Sequence, residues 1–249
     1  MSKQTTLLST VLLDQPLIDR AAEHGIGLDI MSFIEISSGT GKELWTEVEE
    51  LCSLPVTAVF TSANAVRAIA QVAQNSKPDW NIYCLGNATA KAVCESFDEH
   101  SIKGRANDAS ELGTLIVAHD VCEVVFFCGD KRLDTLPEIL HSNDISVHEL
   151  VVYHTAETPA KMAKQYDGIL FFSPSGVSSF FSINHAEPGT VFFAIGHTTA
   201  NALGEYTSDK PVISRMHSKE GLIDEAIQYF KKQASVPIVP IAIGRTGAK

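Results

Sequence analysis

Four short segments combine hydroxyl-bearing or small residues with glycine directly after an apolar run, where a strand would turn into a helix. They are Ser62-Ala63-Asn64, Gly86 to Thr89, Ser173-Pro174-Ser175-Gly176 and Gly196-His197-Thr198-Thr199. Serine is a common N-cap, and proline is favoured at the first helical position. The free N–H groups of a helix N-terminus also bind anions. The segments therefore predict four anion-binding turns, although a turn of this kind taken alone is more often an ordinary structural cap.

These segments belong to two pairs that repeat along the chain. TAVFTSANAVRAIA (57–70) resembles GILFFSPSGVSSFF (168–181), and LGNATAKAVCE (85–95) resembles IGHTTANALGE (195–205). The offsets of the two pairs are 111 and 110 residues, so they agree within one residue. A period of this length is too long for a solenoid. It indicates two copies of one α/β domain.

Short runs rich in Val, Ile and Phe predict the strands that must position these turns. The predicted strands are Thr6–Leu13, Ile30–Ile36, Val56–Thr61, Ile82–Leu85, Val124–Cys128, His148–His154, Ile169–Phe172, Val191–Ile195 and Val212–Ser214. Helical patterns lie between most of them, which is typical of an α/β fold with parallel sheets. Ligands of such folds bind at the carboxyl ends of the strands, where all four turns are expected.

The repeat also predicts how the domains are connected. The strand–helix–strand pattern at the N-terminus has no place in the first copy, so we expect it to complete the second. The prediction is two similar flavodoxin-like parallel-sheet domains, one inserted in the other and joined by a two-stranded linker. The first domain is 1–36 with 157–232, the inserted domain is 43–147, the linkers are 37–42 and 148–156, and 233–249 is a tail without an assigned role. A cleft between two domains is a common ligand site.

Composition excludes several classes of protein. Acidic residues number 30 and basic residues 19, for a formal net charge of −11, which argues against nucleic acid as a partner. No apolar run reaches the roughly 18 residues of a membrane span. The start of the sequence does not resemble a secretion signal, so we expect a cytoplasmic protein whose five cysteines are reduced and mostly buried.

Strong motifs for cofactors are absent from the sequence. There is no G-x-G-x-x-G after a strand, no phosphate-binding G-x-x-x-x-G-K-[ST] and no G-x-S-x-G. The nine histidines and five cysteines show no metal-ligand spacing, so no metal site is expected. Tyr153 lies in the second linker, where a phenol could donate a proton to a leaving oxygen. Its ring could equally pack on the linker with its hydroxyl in water.

Several segments, in order and spacing, resemble the uroporphyrinogen-III synthase family over residues 5–230. They are FTSANAV (60–66), L-G-x-x-T-A (85–90), C-G-D-K-R-L-D-x-L (128–136), L-V-V-Y-x-T (150–155), FFSPSGV (171–177) and A-I-G-x-T-T-A (194–200). The resemblance implies an enzyme that cyclises linear hydroxymethylbilane to uroporphyrinogen III, inverting ring D and losing water, without a cofactor. The reaction would pass through an azafulvenium and a spiro-pyrrolenine.

The resemblance also implies roles for individual residues. Tyr153 matches the proton donor to the departing hydroxyl, and Lys131 and Arg132 match a basic position that would pair with substrate charge. The positions that line the cleft are Ser62, Thr89, Ser173, Ser175 and Thr199. One departure is that the stretch after the first strand, 9–16, has no arginine, so one carboxylate contact is not accounted for. The implied partners are hydroxymethylbilane and, transiently, hydroxymethylbilane synthase.

Two other functions stay open at this level. A non-catalytic two-domain protein could close on an anionic small molecule such as a tetrapyrrole, with the same cleft and turns. A nucleotide-dependent enzyme is disfavoured because the phosphate-loop signatures are missing.

Overall fold

The computed structural model describes residues 4–74, 76, 78–86, 88–185 and 187–234. The strands are β1 (Thr5–Ser9), β2 (Ile26–Ile30), β3 (Ile34–Ser38), β4 (Thr57–Phe60), β5 (Asn81–Leu85), β6 (Ile102–Ala106), β7 (Glu123–Gly129), β8 (Ser146–Glu157), β9 (Gly168–Phe171), β10 (Val191–Ala194) and β11 (Val212–Ile213). The helices are α1 (Gln15–Glu23), α2 (Lys42–Leu51), α3 (Ala63–Ala73), α4 (Ala88–Ser96), α5 (Ala109–Ala118), α6 (Thr135–His141), α7 (Pro174–Phe181), α8 (His197–Leu203) and α9 (Lys219–Ala234). The tail predicted at 233–249 lies outside the described residues after position 234.

The strands form two sheets. The first sheet has the order β11-β10-β9-β1-β2, and the second sheet has the order β3-β8-β7-β4-β5-β6. Every neighbouring pair is parallel except β3 and β8. All strands of the second sheet lie between β2 and β9 in the chain. The predicted α/β fold with two parallel-sheet domains is therefore confirmed.

The two sheets have the same spatial arrangement but a permuted connectivity. The repeated segments are β4–α3 with β5–α4 in the second sheet, and β9–α7 with β10–α8 in the first. In the second sheet, β6 lies on one side of the repeated pair and β7 and β8 lie on the other. In the first sheet, β11 lies on one side of the repeated pair and β1 and β2 lie on the other. Counted along its own chain, the first sheet has the flavodoxin order 2-1-3-4-5. In the second sheet the first parallel strand along the chain is β4, which corresponds to β9, the third strand of the first sheet.

Helices cover both faces of the sheets, which explains the continuous apolar runs of the central strands. One face of the second sheet packs Phe60 and Trp80 against Phe127, with ring centroids 5.2 and 5.3 Å apart. The opposite face buries Phe126 together with residues of α5 and α6. In the first sheet, Phe171 is fully buried beneath α7. Burial on both faces fixes where the carboxyl ends of the strands emerge.

Several sequence-based strand predictions differ from the structure, among them the one at Thr6–Leu13, since β1 ends at Ser9. The strand predicted at Ile30–Ile36 is wrong, because β2 ends at Ile30 and β3 starts at Ile34 in the other sheet. Phe33 lies between the two strands and is fully buried. The apolar run at 30–36 therefore includes a buried connection as well as parts of two strands. Strand β6 was not predicted, because its sequence IKGRA is polar and pairs on one side only.

The antiparallel pair of β3 and β8 connects the two sheets. It runs from Ile34 opposite Glu157 to Ser38 opposite Tyr153. The amino-terminal part of β8 pairs with β7 instead, so β8 is a full member of the second sheet. The chain segments that cross between the sheets therefore hydrogen-bond to each other.

The glycine-rich segment after β3 is held tightly against β8. The amide of Gly39 donates to the carbonyl of Val152 at 2.8 Å, and its carbonyl accepts from the indole of Trp45 at 3.1 Å. A Cβ at Gly39 would stand 2.7 Å from the carbonyl oxygen of Val151, so only glycine fits. Gly41, with φ of 109°, turns the chain into α2 in a region that favours glycine. This predicted linker is thus ordered by specific contacts.

Among the described residues, no helix is both long enough and apolar enough to cross a membrane.

The burial of the cysteines predicts their order of chemical modification. Cys94 and Cys122 are exposed, whereas Cys52, Cys84 and Cys128 are buried. Burial raises the pKa of Cys84 and of Cys128 to about 11, so both thiols stay protonated near neutral pH. Because the thiolate is the reactive form, we expect brief iodoacetamide treatment to modify Cys94 and Cys122 first. Peptide mass spectrometry would measure this, and early modification of Cys84 or Cys128 would contradict it.

Candidate functional site

The turn after β4 begins α3 at the carboxyl edge of the second sheet. The hydroxyl oxygen of Ser62 accepts from the amide of Asn64 at 3.2 Å, which confirms the predicted N-cap. Ala63 is the first residue of the helix, and the Asn64 side chain accepts from Arg67 at 3.3 Å. Ser62, Ala63 and Asn64 are all partly exposed, so the turn is open to a ligand.

Tyr153 lies beside this turn. It is on β8, opposite Gly129 at the end of β7. A Cβ at Gly129 would stand 2.6 Å from Cε2 and 2.7 Å from the hydroxyl oxygen of Tyr153, so the ring packs directly on the glycine. Any larger residue at position 129 would displace the phenol. The sequence motif around Gly129 was noted, but its role as the platform for Tyr153 was not predicted.

The environment of Tyr153 keeps its phenol protonated. Burial raises its pKa above the ordinary value near 10, and the nearby Cys128 and Asp130 groups raise it further. A hydrogen bond with the Ser62 side chain lowers the pKa and offsets part of this effect. The net shift is upward, so at neutral pH the phenol holds a proton that it can donate. The structure thus brings together Ser62 and Tyr153, which are far apart in the sequence.

Asp130 fixes the backbone around Tyr153. Its amide donates to the Tyr153 carbonyl at 3.2 Å, and its carboxylate accepts from the amide of Thr155 at 2.9 Å. The second carboxylate oxygen lies 3.4 Å from Nδ1 of His154. Both sides of Tyr153 on β8 are thereby tied to the turn after β7. Asp130 is a further residue that sequence reasoning did not single out.

The predicted basic residues of this turn are paired within the protein. Lys131 lies 3.4 Å from a carboxylate oxygen of Glu157, at the end of β8. Arg132 contacts both Glu149 and Asp134, and these carboxylates raise the pKa of the guanidinium further. Lys131 is exposed and has one carboxylate partner, whereas Arg132 is partly buried between two.

The turn after β5 is the second of the four predicted turns. The amide of Gly86 donates to the carbonyl of Ala106 on β6 at 2.8 Å, so this donor is already occupied. Thr89 is only 5% exposed, in the first turn of α4. Position 87, between them, is outside the described residues. The structure places this turn at the same edge as Ser62 because β4 and β5 are parallel neighbours.

The turn after β9 is the counterpart of the Ser62 turn in the first sheet. Ser173 caps α7 by accepting from the amide of Gly176 at 3.1 Å, with Pro174 at the first helical position as predicted. Gly176 is buried, and Ser175 is partly exposed. A Cβ at Gly176 would stand 3.7 Å from the hydroxyl oxygen of Thr10, in the turn after β1. Thr10 was not predicted as a site residue.

The turn after β10 begins α8 at Gly196. His197 and Thr198 are exposed there, whereas Thr199 is 3% exposed and turns into the protein. A Cβ at Gly196 would stand 3.4 Å from the ring of His217, in the segment after β11. His217 therefore lies over this turn. The signal that could have found it is the R-M-H-S-K run at 215–219, which is basic in an acidic chain.

No group of acidic, histidine or cysteine side chains with the arrangement of a metal site occurs among the described residues.

Comparison with known proteins identifies the family. The family model described as Uroporphyrinogen-III synthase HemD matches residues 15–224. The chain is 26% identical over 179 residues to the uroporphyrinogen-III synthase of Saccharomyces cerevisiae, an alignment that covers 61% of this chain. It spans 64% of the length of that relative.

Two solved structures share the fold. A mutant uroporphyrinogen III synthase from Thermus thermophilus superposes with a TM-score of 0.62, at 14% identity, over 92% of this chain and 99% of that chain. Uroporphyrinogen-III synthetase from Helicobacter pylori gives a TM-score of 0.60, at 18% identity, over 90% of this chain and 99% of that chain. Because the family model matches most of the length of the chain, the chain belongs to the uroporphyrinogen-III synthase family.

Proposed function

We propose that the protein converts linear hydroxymethylbilane to uroporphyrinogen III, inverting ring D and releasing water, with no cofactor. The observation that carries this proposal is the family match over residues 15–224. The site geometry supports it, because a protonated phenol lies beside a capped helix N-terminus at the carboxyl edge of a parallel sheet. This edge is where ligands of such folds bind.

The substrate lies in this proposal between two domains. The first is 1–36 with 157–232, the second is 43–147, and the segments 37–42 and 148–156 join them. The division is supported by the two sheets, each of which carries a pair of the repeated turns. Motion at the paired β3 and β8 strands would close the domains on the substrate.

Binding relies on local donors, because the substrate and the protein are both strongly anionic. The protein has a formal net charge of −11, and the substrate carries eight carboxylates. Salt screens the long-range repulsion beyond roughly 8–10 Å, so short-range donors decide the affinity. We assign the substrate contacts to the residues of the four turns and to Lys131, apart from the backbone amides of Asn64, Gly86 and Gly176, which already bond within the protein. The turn residues are Ser62, Ala63, Asn64, Gly86, Thr89, Ser173, Ser175, Gly176, Gly196, His197, Thr198 and Thr199.

The two basic residues have different roles. Lys131 is exposed with a single partner, Glu157, so it can exchange that carboxylate for one on the substrate. Arg132 is held and neutralised by Glu149 and Asp134, so its role is to keep the turn after β7 in shape.

Catalysis starts with departure of the hydroxyl from ring A. Tyr153 donates its phenolic proton to that oxygen, water leaves, and an azafulvenium forms. The substituted carbon of ring D attacks this cation to give a spiro-pyrrolenine, which fragments and closes again at the other carbon of ring D. A final proton loss restores the aromatic pyrrole. The bilane also closes without enzyme to isomer I, so holding the chain in the spiro-forming fold supplies most of the effect.

A coupled assay tests the activity. Porphobilinogen and hydroxymethylbilane synthase generate the bilane in place, with and without this protein, and the oxidised products are separated by chromatography. We expect a switch from isomer I to isomer III. Isomer I alone, from folded protein, would contradict the proposal and favour a non-catalytic tetrapyrrole-binding protein.

Replacing the phenol tests its role as proton donor. We expect Tyr153→Phe to lower kcat by up to about 10²-fold, the lower end of what one acid–base group contributes, with little change in KM. Tyr83→Phe is the matched control, because that hydroxyl bonds Nδ1 of His119 at 2.8 Å, away from the proposed site. It should lose about 1 kcal/mol of stability and keep its turnover. Unchanged turnover of Tyr153→Phe would remove Tyr153 from catalysis without affecting the family assignment.

The packing of Tyr153 on Gly129 gives an independent test. A methyl group at position 129 must displace the ring, so we expect Gly129→Ala to lower kcat about as much as loss of the phenol. Gly27→Ala is the control, since its Cβ would meet neighbours only at 3.6 Å or more. Steady-state kinetics and thermal unfolding measure both variants. Wild-type kcat in a folded Gly129→Ala protein would show that the ring position is unimportant.

A further inference from the structure

The segment after β11 carries basic side chains in a chain of net charge −11. We call residues 214–219 the β11 loop. Arg215, His217 and Lys219 alternate along this loop, and all three are exposed. The loop follows the carboxyl end of β11. It therefore lies on the same side of the first sheet as the starts of α7 and α8, which follow the carboxyl ends of β9 and β10. None of these three residues was among the expected site residues.

Hydrogen bonds hold the β11 loop in one shape. The carbonyl of Met216 accepts from the Ser214 hydroxyl at 2.6 Å and from the Ser218 amide at 2.7 Å. The Ser218 hydroxyl oxygen accepts in turn from the amide of Gly221 at 3.0 Å. A Cβ at Gly221 would stand 2.7 Å from Cβ of Met216, so only glycine allows this approach. The side chains of the loop are therefore presented from a fixed backbone.

Lys219 reaches from this loop to the turn after β1. Its ammonium donates to the carbonyl of Leu12 at 2.7 Å. Residues 9–16 contain no Lys or Arg, so Lys219 supplies the cation of that turn. An ammonium has three donors, and within the described part of the chain Lys219 forms no ion pair. Two donors remain for a ligand, whereas Arg215 lies 3.7 Å from Glu225.

The position of Lys219 is unfavourable for the helix that it begins. It is the first residue of α9, where the helix dipole favours negative charge. A cation there does not stabilise the helix, so its presence needs another explanation. Binding of an anion at this edge provides one.

Apolar side chains accompany these donors. Leu12 is 71% exposed and Met216 is 54% exposed, although the backbone carbonyl of each accepts a hydrogen bond. The His217 ring lies over Gly196, which adds a flat surface with ring nitrogens next to α8. The combination of an ammonium, an imidazole and exposed apolar side chains suits a flat apolar ring that carries a carboxylate.

We propose that Lys219, His217, Leu12 and Met216 form a subsite for one carboxylate-bearing pyrrole ring of the ligand. Lys219 pairs with the carboxylate through a charge-assisted hydrogen bond, and the apolar side chains cover the ring. This subsite rests on the proposed function for the identity of the ligand as the bilane. The subsite places a positively charged contact for the anionic substrate at the carboxyl ends of the strands of the first sheet.

Substitution of Lys219 tests the charged part of the subsite. We expect Lys219→Gln to raise KM about tenfold with kcat within about twofold, which corresponds to about 1.4 kcal/mol of binding. Lys219→Arg should restore most of the affinity. The thermal stability of Lys219→Gln should stay near that of the wild type, because loss of the hydrogen bond to Leu12 offsets removal of a cation from the start of α9.

Lys103→Gln is the matched control. The Lys103 ammonium also donates to a backbone carbonyl, that of His100 at 3.1 Å, but near the amino end of β6. Its KM should stay at the wild-type value. An unchanged KM in Lys219→Gln, or an equal rise in Lys103→Gln, would overturn the proposal.

The apolar part has its own matched pair. Met216 and Leu54 are 54% and 52% exposed, and Leu54 lies before the amino end of β4. We expect Met216→Ser to raise KM about threefold, and Leu54→Ser to leave it unchanged. Equal effects of the two substitutions would refute the contact with the ring.

Binding of uroporphyrinogen III distinguishes this proposal from the proposed activity. Anaerobic calorimetry should give a Kd about tenfold weaker for Lys219→Gln than for the wild type, with a difference that shrinks in high salt. Such a difference in a protein that makes no isomer III would support the subsite while the proposed activity failed. Isomer III formation with an equal Kd and KM for both proteins would refute the subsite alone.

Discussion

Strands β3 and β8 run antiparallel over five residue pairs, from Ile34 opposite Glu157 to Ser38 opposite Tyr153. The rest of the molecule depends on this pairing, because the chain leaves the first sheet through β3 and returns to it after β8. On its other side β8 pairs with β7, which places Tyr153 opposite Gly129 at the end of β7. Glu157, the last residue of β8, contacts Lys131 and accepts from the Ser178 hydroxyl of α7 at 3.3 Å. Residues of both sheets therefore meet on one strand.

The permuted repeat explains why the two edges are similar in backbone and different in chemistry. Equivalent strands lead to equivalent helix starts, so Ser62 and Ser173 both cap their helices, Ser62 through the amide two residues on and Ser173 through the amide three residues on. The side chains added around them differ, with the phenol of Tyr153 at one edge and Lys219 and His217 at the other. In the proposed reaction, one edge holds the acid and the other offers positive charge, so a duplicated backbone serves two tasks.

Charge is distributed to suit an anionic ligand despite the net charge of −11. Arg132 is neutralised by Glu149 and Asp134, whereas Lys219 has no carboxylate partner among the described residues. The amides of Asn64 and Gly176 are used by the caps of their own helices. In the proposed binding mode, affinity for the substrate depends on a few unpaired donors at fixed positions, and not on the net charge of the protein.

Local physics let the sequence determine the α/β class, the two copies and the caps at Ser62 and Ser173, because each depends on a few neighbouring residues. The pattern of apolar residues mispredicted a strand at the connection around Phe33, because the burial of this residue depends on distant parts of the chain. Only the tertiary structure decided that Gly129 supports Tyr153 and that Lys219 reaches Leu12, 207 residues away. Such contacts are set by strand order and by the permuted entry into the second sheet, and no local pattern encodes either of them.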